Sequence, residues 1–392
     1  MSHPLVSHSP DLQKLETEGY DVEIRHTYLL VKHVPYVTAD RTVAYGILAS
    51  ELTTNGTNTV APGSHVASFI GTFPCDDHGQ ELTQVIHGRT PTNLAESLTA
   101  VCTFSQKPPS GSYANYYDKM RAYVRMLSGY AKAIDPSATA RTYPPHQTTT
   151  EESVFRYHDG ASSRAGISAI TAKLKLRKVA IVGLGGTGSY ILDLLAKTPV
   201  EELHLYDDDL LYAHNAFRTP GAASLRELER SPKKVDYLFE KYDPIRRGIV
   251  PHPVRIGRSN VSELQDMGFV FLAIDAGSAK RVIVEALESF GASFVDCGMG
   301  LYRLVDSLGG ILRVTTSTDG HRSHVGKHVS FADDDDDEYD LNIQTGDLNM
   351  LNAAVAVIKW KKLVGYYIDR KQEYHSTYTV GRNQLLNSDL SE

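Results

Sequence analysis

Cysteine is scarce in this sequence of 392 residues, which contains Cys75, Cys102 and Cys297 and no other. An odd number of cysteines, far apart and without a CxxC pair, excludes a disulfide framework and a paired-cysteine zinc site. Small secreted proteins depend on such frameworks, whereas reduced thiols are typical of the cytoplasm. We therefore predict that the chain works in a reducing, cytoplasmic environment.

Long apolar runs and an excess of basic charge are missing as well. No stretch reaches the roughly 18 apolar residues of a membrane-spanning helix, and the first residues lack the features of a signal peptide. Against 47 acidic side chains stand 40 basic ones. Six of the carboxylates lie in one run, residues 333–338, and the rest of the chain is close to neutral. We expect neither a membrane nor a nucleic acid as the partner.

The length allows two or three domains at roughly 100–200 residues per domain. Tyrosines at helical spacing between residues 113 and 130 predict a helix with an aromatic core face, and Pro35 within a strand pattern predicts an edge strand or a bend. Strand and helix signals alternate after residue 166, which is typical of a doubly wound α/β domain. We predict a smaller α+β accessory domain at 1–143, a linker with an arginine segment at 144–165 and the α/β domain at 166–392.

A glycine-rich loop lies between a strand and a helix near residue 180. Residues 178–182 (KVAIV) are apolar from the second position onward, as in a buried parallel strand, and lead into residues 183–189 (GLGGTGS) and an apolar helix. A second strand ends at Asp207, where a carboxylate can bind a ribose hydroxyl. Free N–H groups at the start of the helix predict that a nucleotide's phosphates bind at this loop. Its glycines are Gly183, Gly185, Gly186 and Gly188.

Polar side chains follow the loop where a dehydrogenase needs only its next helix. Two cations, Arg218 and Lys234, indicate a triphosphate rather than the pyrophosphate of a dinucleotide. Asp275 follows the apolar strand 269–274, at the sheet edge where such folds bind ligands, and is a candidate ligand of Mg²⁺. A NAD-dependent oxidoreductase stays open as an alternative at this point.

These motifs together resemble the ThiF/MoeB/ubiquitin-activating-enzyme superfamily over roughly residues 160–382. The resemblance implies a Rossmann-like adenylation domain that binds ATP and Mg²⁺ and joins the C-terminal carboxylate of a ubiquitin-like protein to AMP. The segments that carry it, in the family's order, are 183–189 (GLGGTGS), 206–209 (YDDD), 215–218 (NAFR), 232–235 (PKKV) and 274–275 (ID).

The resemblance also implies a role for each residue. Asp207 would hold the ribose, and Asp275 the metal. Arg164 resembles an arginine that relatives extend into the nucleotide site of a partner subunit, which implies a homodimer. The implied nucleotide-binding set is Gly183, Gly185, Gly186, Gly188, Asp207, Asp209 and Asn215, and the implied catalytic set is Arg164, Arg218, Lys234 and Asp275.

The sequence departs from the family at the residues that would accept the acyl group after adenylation. Ala276 follows Asp275, where relatives usually have asparagine, and the crossover loop expected at 315–345 has no cysteine to form a thioester. Cys297 ends a strand beside the expected groove for the substrate's tail, and its sequence context is that of a buried residue. Ser323, flanked by histidines that offer a base, is a second candidate acceptor. An external nucleophile is the third.

The sequence as a whole therefore predicts a bacterial-type activating enzyme for a ubiquitin-like protein. The N-terminal domain would recruit that protein or a conjugating-enzyme-like partner, by analogy of domain organisation. Three alternatives stay open: adenylation of a sulfur-carrier protein or a tRNA-linked carboxylate, a non-catalytic scaffold subunit, and the oxidoreductase.

Overall fold

The computed structural model describes residues 4–56, 58–145, 148, 153–275, 277–331 and 343–390. Its backbone divides into two compact units, Met1–Thr148 with His158–Ala165, and Thr149–Tyr157 with Gly166–Glu392. The acidic run at 333–338 lies outside the described residues. Within those residues, none of the helices has the length and apolar character needed to cross a membrane.

The first unit is an antiparallel sheet with one long helix packed against it. Its six-stranded sheet has the order β1-β2-β3-β6-β10-β7. The elements are α1 (Pro4–His8), α2 (Pro10–Thr17), β1 (Asp21–Arg25), β2 (Tyr28–Val37), β3 (Val43–Glu51), β4 (Thr54–Asn55), β5 (Asn58–Thr59), β6 (Val66–Ile70), β7 (Ile86–Gly88), β8 (Thr92–Ala95), β9 (Leu98–Ala100), β10 (Cys102–Ser105), α3 (Tyr116–Ile134) and α4 (Gly160–Arg164).

The tyrosine-rich helix α3 forms the core of this unit, as the helical spacing predicts. Its N-cap is Asn115, whose side chain accepts a hydrogen bond from the Asp118 backbone N–H at 2.8 Å. Tyr116 and Tyr123 are fully buried against strand residues of the sheet. Their hydroxyls reach backbone carbonyls of Glu51 and His65, so each buried phenol is satisfied.

Pro35 lies in β2, which is the second strand of the sheet rather than an edge strand. Only the part of β2 that contains Pro35 lacks a partner on one side. Strand β2 lies between β1 and β3. However, β1 pairs with β2 only as far as Lys32, and β2 then has an irregularity at His33, whose φ is +56°. Pro35 therefore needs no backbone donor on the β1 side, which explains why the strand tolerates it.

The second unit is a doubly wound α/β domain. Its eight-stranded sheet has the order β13-β12-β11-β14-β15-β16-β17-β18. The elements are α5 (Ser168–Thr171), β11 (Lys178–Val182), α6 (Gly186–Ala196), β12 (Glu202–Tyr206), α7 (Ala213–Ala216), α8 (Leu225–Glu229), α9 (Lys234–Tyr242), β13 (Ile249–His252), β14 (Phe269–Leu272), α10 (Gly277–Ser289), β15 (Phe294–Leu304), β16 (Ser307–Ser317), α11 (Val325–His328), α12 (Gly346–Leu363), β17 (Glu373–Thr379) and β18 (Gln384–Leu390).

Alternate residues of the central strands build two separate cores, one on each sheet face. In β11, Val179 and Ile181 pack with helices α6, α9 and α12, whereas Ala180 and Val182 pack with α10. Strands β11 to β15 pair in parallel and β15 to β18 antiparallel. The last four residues of β11, 179–182, are therefore all apolar, because both faces of the strand are covered. The predicted α/β fold class is confirmed.

The segment expected to be a crossover loop begins inside a strand. Thr315, Thr316 and Ser317 belong to β16 and are buried. A further helical turn, α11, follows at Val325–His328. The predicted start of the loop, at about residue 315, was three residues too early, because Thr315, Thr316 and Ser317 still pair with β15 and threonine favours strands.

Candidate functional site

A cavity of about 300 Å³ opens at the carboxyl ends of β11, β12, β14 and β15. This is the sheet edge where doubly wound folds bind ligands. It gathers most of the predicted residues although they lie far apart in the sequence. The lining includes Gly183, Gly185, Gly186, Asp207, Asp208, Asp209, Arg218, Lys234, Arg255, Ile256, Asp275, Cys297, Met299, Asn349 and Asn352.

The positions of the loop are glycines for different structural reasons. A Cβ on Gly188 would lie 1.9 Å from the carbonyl oxygen of Gly183, and one on Gly186 would lie 2.1 Å from the amide of Asn349. Gly183 has φ +89°, a left-handed conformation. A Cβ on Gly185 would meet no atom within 4 Å, although this residue lines the cavity. Three glycines thus serve the fold, and Gly185 keeps the cavity open.

The Asp207 carboxylate is fixed by backbone donors. Its Oδ2 accepts the N–H of Leu184 at 2.6 Å, and its Oδ1 accepts the N–H of Asp209 at 2.9 Å. The carboxylate therefore ties the end of β12 to the glycine loop. Its position next to this loop fits the ribose-binding role predicted from the sequence.

Lys234 is a buried cation held among acids. Its Nζ lies 2.6 Å from Asp209 Oδ2 and 3.6 Å from Asp207 Oδ1. Its backbone N–H donates to the carbonyl of Asp209 at 3.0 Å, so the start of α9 is anchored to the loop after β12. The hydrogen bond from Lys234 lowers the pKa of Asp209. The ammonium is thus positioned on the cavity wall before any ligand binds.

Arg218 also lines the cavity and has an unsatisfied donor. Its Nε is buried, and it has no hydrogen-bond partner in the described part of the chain. A buried guanidinium N–H without a partner is costly, and an anionic ligand would satisfy it. Asn215 is not among the described lining residues. Its Oδ1 accepts the N–H of Tyr212 at 2.9 Å, and its backbone carbonyl accepts the N–H of Arg218 at 3.0 Å, so it shapes the turn that carries Arg218.

Carboxylates on two sides of the cavity offer oxygen ligands for a cation. Oxygens of Asp207, Asp208 and Asp209 lie within 4.8 Å of one another. All three carboxylates already contact cations of the protein. Asp207 and Asp209 contact Lys234, and Asp208 Oδ1 lies 3.2 Å from Arg255 Nε. Asp275 lines the cavity from the other side, just after β14. Magnesium binding by Asp275 stays a prediction, and its carboxylate chemistry fits that ion.

Two asparagines of α12 line the cavity and were not predicted from the sequence. Asn349 and Asn352 are buried and line the cavity one helical turn apart. Asn349 Oδ1 accepts a hydrogen bond from the Thr187 hydroxyl at 2.9 Å, and Asn352 Nδ2 donates to the Gly298 carbonyl at 3.2 Å. The available signal was a pair of amides at i, i+3 on an otherwise apolar helix face.

The candidate acyl acceptors lie in contrasting environments. Cys297 lines the cavity but is buried, and burial raises the pKa of its thiol. Ser323 is exposed in a turn before α11. The neighbouring His324 is bonded to the Thr316 carbonyl at 2.8 Å, and His328 to Asp389 at 2.5 Å. These imidazoles are engaged elsewhere, and an acceptor role for Cys297 or Ser323 stays a prediction. Arg164 ends helix α4 in the first unit, and its role stays a prediction too.

Alkylation should find no reactive thiol in the folded chain. All three cysteines are buried, and burial raises the pKa of Cys102 to about 12 and raises that of Cys75 and Cys297 as well. Because the thiolate is the reactive form, we expect iodoacetamide at neutral pH to label each cysteine at least about a hundredfold more slowly than in denatured protein. Peptide mass spectrometry measures the three rates separately. Rapid labelling of native Cys297 would instead support a thioester at this residue.

Comparisons with known proteins agree with this site. Residues 162–378 match the ThiF family, and residues 10–160 match a domain of unknown function (DUF6791). Over 81 residues, the chain is 35% identical to ubiquitin-like modifier-activating enzyme 5 of Culex quinquefasciatus, which covers 20% of each chain. It is 26% identical over 150 residues to the Rattus norvegicus protein of the same name, covering 36% of this chain and 37% of that one. The chain thus spans well under half the length of these curated relatives.

Two solved structures match parts of this chain at low sequence identity. The crystal structure of PaaA has a TM-score of 0.47 and 16% identity, covering 74% of this chain and 94% of that one. The structure of E. coli MccB with ATP has a TM-score of 0.42 and 14% identity, covering 57% and 66%. The family match covers more than half of the sequence and includes the glycine loop, Arg218, Lys234 and Asp275. The chain therefore belongs to the ThiF family.

Proposed function

We propose that this protein activates the C-terminal carboxylate of a ubiquitin-like protein by ATP-dependent adenylation. The observation that carries the proposal is Arg218, which lines the cavity and whose buried Nε has no hydrogen-bond partner among the described residues. Lys234 and the glycine loop line the same cavity. This combination of cations and backbone donors fits a triphosphate. The pyrophosphate of a nicotinamide dinucleotide carries fewer negative charges.

In the proposed reaction, the residues of the cavity bind ATP and stabilise the charge that develops during adenylation. A carboxylate oxygen of the substrate attacks the α-phosphorus of ATP, the bond from that phosphorus to the bridging oxygen breaks, and pyrophosphate leaves with the electron pair. The nucleophile is already ionised, so no general base is needed. Arg218 and Lys234 stabilise the negative charge that builds up on the phosphates, and N–H groups at the start of α6 hold them. Magnesium, held by Asp275, would supply further charge neutralisation.

The names of the relatives support the proposed substrate and partners. Two relatives are named ubiquitin-like modifier-activating enzymes, which supports a ubiquitin-like protein as the substrate. Arg164 of a second subunit would complete the site in a homodimer, and the N-terminal unit would recruit a conjugating-enzyme-like protein. Because every cysteine of the chain is buried, we infer that the acyl group passes to an external nucleophile or to the exposed Ser323.

Product analysis with labelled nucleotide tests this function. The full chain is incubated with ATP labelled at the α-phosphate and with candidate ubiquitin-like proteins, each also as a variant with an amidated C-terminus. We expect labelled AMP joined to the free carboxylate, release of pyrophosphate and no reaction of the amidated control. Formation of ADP, or binding of NAD without binding of ATP, would contradict the proposal. ATP binding without reaction toward any partner would favour a scaffold role.

A further inference from the structure

Four histidines of the second unit pack against one another, and they are not among the described lining residues of the nucleotide cavity. His321, His324 and His328 lie in the segment 318–331 after β16, which includes α11, and His375 lies in β17. The rings of His328 and His375 are stacked with their centroids 3.8 Å apart. The centroid of the His324 ring lies 4.7 Å from that of His321 and 6.3 Å from that of His328. These contacts join the segment to the sheet.

The surroundings of His324 favour its neutral form. Its Nε2 lies 2.8 Å from the carbonyl oxygen of Thr316, which can only accept a hydrogen bond, so this nitrogen carries the proton. Its Nδ1 is buried and has no hydrogen-bond partner in the described part of the chain. A second proton would create a buried N–H donor that no described residue accepts, which is costly. Burial and the neighbouring imidazoles of His321 and His328 lower the pKa of His324.

His375 is also held where a positive charge is unfavourable. Its Nδ1 lies 2.9 Å from the hydroxyl of Thr315, which is neutral. Asp389 of β18 favours a charge on this ring, but its Oδ2 lies 2.5 Å from His328 Nε2 and is shared with that imidazole. The stacked ring of His328 and the ammonium of Lys359 on α12 oppose the charge. Burial is the largest cause, and the pKa of His375 falls to about 4.

We propose that these histidines form a proton-controlled latch, in which acid loosens the segment 318–331 from β17 and β18. His324 and His375 bind protons less readily in the folded chain than in a detached segment. The stabilisation they give is therefore complete above the ordinary histidine pKa of about 6.5 and is lost as the pH falls toward about 4. The ionisable groups near the two rings are His321 and His328 of the segment, Tyr374 of β17, Asp389 of β18 and Lys359 of α12.

The segment is also attached by apolar contacts, which keep the latch closed at neutral pH. Val325 and Val329 are buried in the core beside α10. Their removal from water stabilises the attached segment independently of pH. Protonation of the histidines opposes this term only in acid, so we expect a local opening with a defined pH dependence. The latch is independent of nucleotide binding and goes beyond the proposed function.

Hydrogen exchange of the full chain, read out by mass spectrometry of its peptides, tests the latch. Exchange rates between pH 7.5 and pH 5.0 are divided by the intrinsic rates at the same pH, which gives a protection factor for each peptide. We expect the protection of 318–331 to fall at least about tenfold over this range, and that of α6 (186–196) to change less than about twofold. Helix α6 lies in the same unit and contains no histidine, so it reports any general loss of stability.

A double variant separates protonation from packing. In His324→Gln the side-chain amide can still donate to the Thr316 carbonyl, and in His375→Asn an amide can still bond to the Thr315 hydroxyl. Neither replacement titrates. We expect the double variant to hold the protection of 318–331 at pH 5.0 within about threefold of its value at pH 7.5. His78→Gln changes an exposed histidine of the first unit and should keep the wild-type response.

Three results would overturn the latch. They are a protection of 318–331 that does not depend on pH in the wild type, an equal loss of protection in 186–196, and a wild-type response in the double variant. Melting temperatures at pH 7.5 show whether the double variant is folded. If it is not, the two single variants take its place, and an unchanged pH response in both of them would overturn the latch as well.

Discussion

Replacement of Lys234 by alanine should lower the rate of adenylate formation by at least about a hundredfold. The ammonium is the buried cation of the cavity wall, and it lies between Asp207 and Asp209. Without it, two carboxylates next to the phosphates lose their counter-charge, so both the ground-state binding of ATP and the stabilisation of the leaving pyrophosphate suffer. Pyrophosphate exchange into ATP, with the cognate ubiquitin-like protein, measures the loss.

The neighbouring lysine offers a matched control. Lys233 carries the same charge, but its ammonium bonds to the backbone carbonyl of Asp208, and the residue is not among the described lining residues. We expect Lys233→Ala to change the exchange rate by less than about tenfold, because it leaves the charge inside the cavity intact. Equal effects of the two substitutions would show that only the overall charge of this region matters.

Substitutions in the glycine loop should separate stability from nucleotide binding. Gly188→Ala places a Cβ 1.9 Å from the Gly183 carbonyl, so we expect it to lower the free energy of unfolding by about 2–4 kcal/mol. Gly185→Ala meets no protein atom within 4 Å, so we expect it to change that free energy by less than about 1 kcal/mol. The new methyl group would nevertheless occupy space where the phosphates bind, and the affinity for ATP should fall at least about tenfold.

The fluorescence of a single tryptophan reports the stability of the second unit, which contains the glycine loop. The sequence contains a single tryptophan, Trp360, which is fully buried in the core beneath α6 and the sheet. Its fluorescence during denaturant unfolding therefore follows the second unit alone. A Gly185→Ala variant that binds ATP like the wild type would contradict the assignment of the loop to phosphates. A Gly188→Ala variant of unchanged stability would contradict the close packing of the loop.

Local patterns made the centre of the fold predictable. Residues 178–182 form β11 with the predicted bounds, and the four residues after Lys178 are apolar because the strand is covered on both faces. The glycine motif marks the start of α6 for a similar reason, since neighbouring atoms leave no room for a Cβ at Gly186 and Gly188. The apolar strand and the glycine motif each result from local sequence or from complete burial. Such patterns can be recognised in the sequence without the structure.

Other parts of the site depend on contacts between distant segments. Asn349 and Asn352 reach the cavity because α12 packs against α6, more than 150 residues earlier in the chain. Arg255 lines the cavity only because β13 pairs with β12, which brings the segment after β13 to Asp208. Asn215 Oδ1 accepts a hydrogen bond from the Tyr212 backbone, a contact that the motif did not indicate, and its nucleotide-binding role stays a prediction. No local pattern distinguishes these outcomes.

The most direct test of the account is a crystal structure of the full chain with a non-hydrolysable ATP analogue. It measures the distance from Arg218 Nε to the nearest phosphate oxygen. We predict a hydrogen bond of about 2.7–3.2 Å, with the phosphates at the start of α6 and the ribose at Asp207. A bound analogue whose phosphates lie away from the glycine loop, with Arg218 Nε still unpaired, would contradict the account.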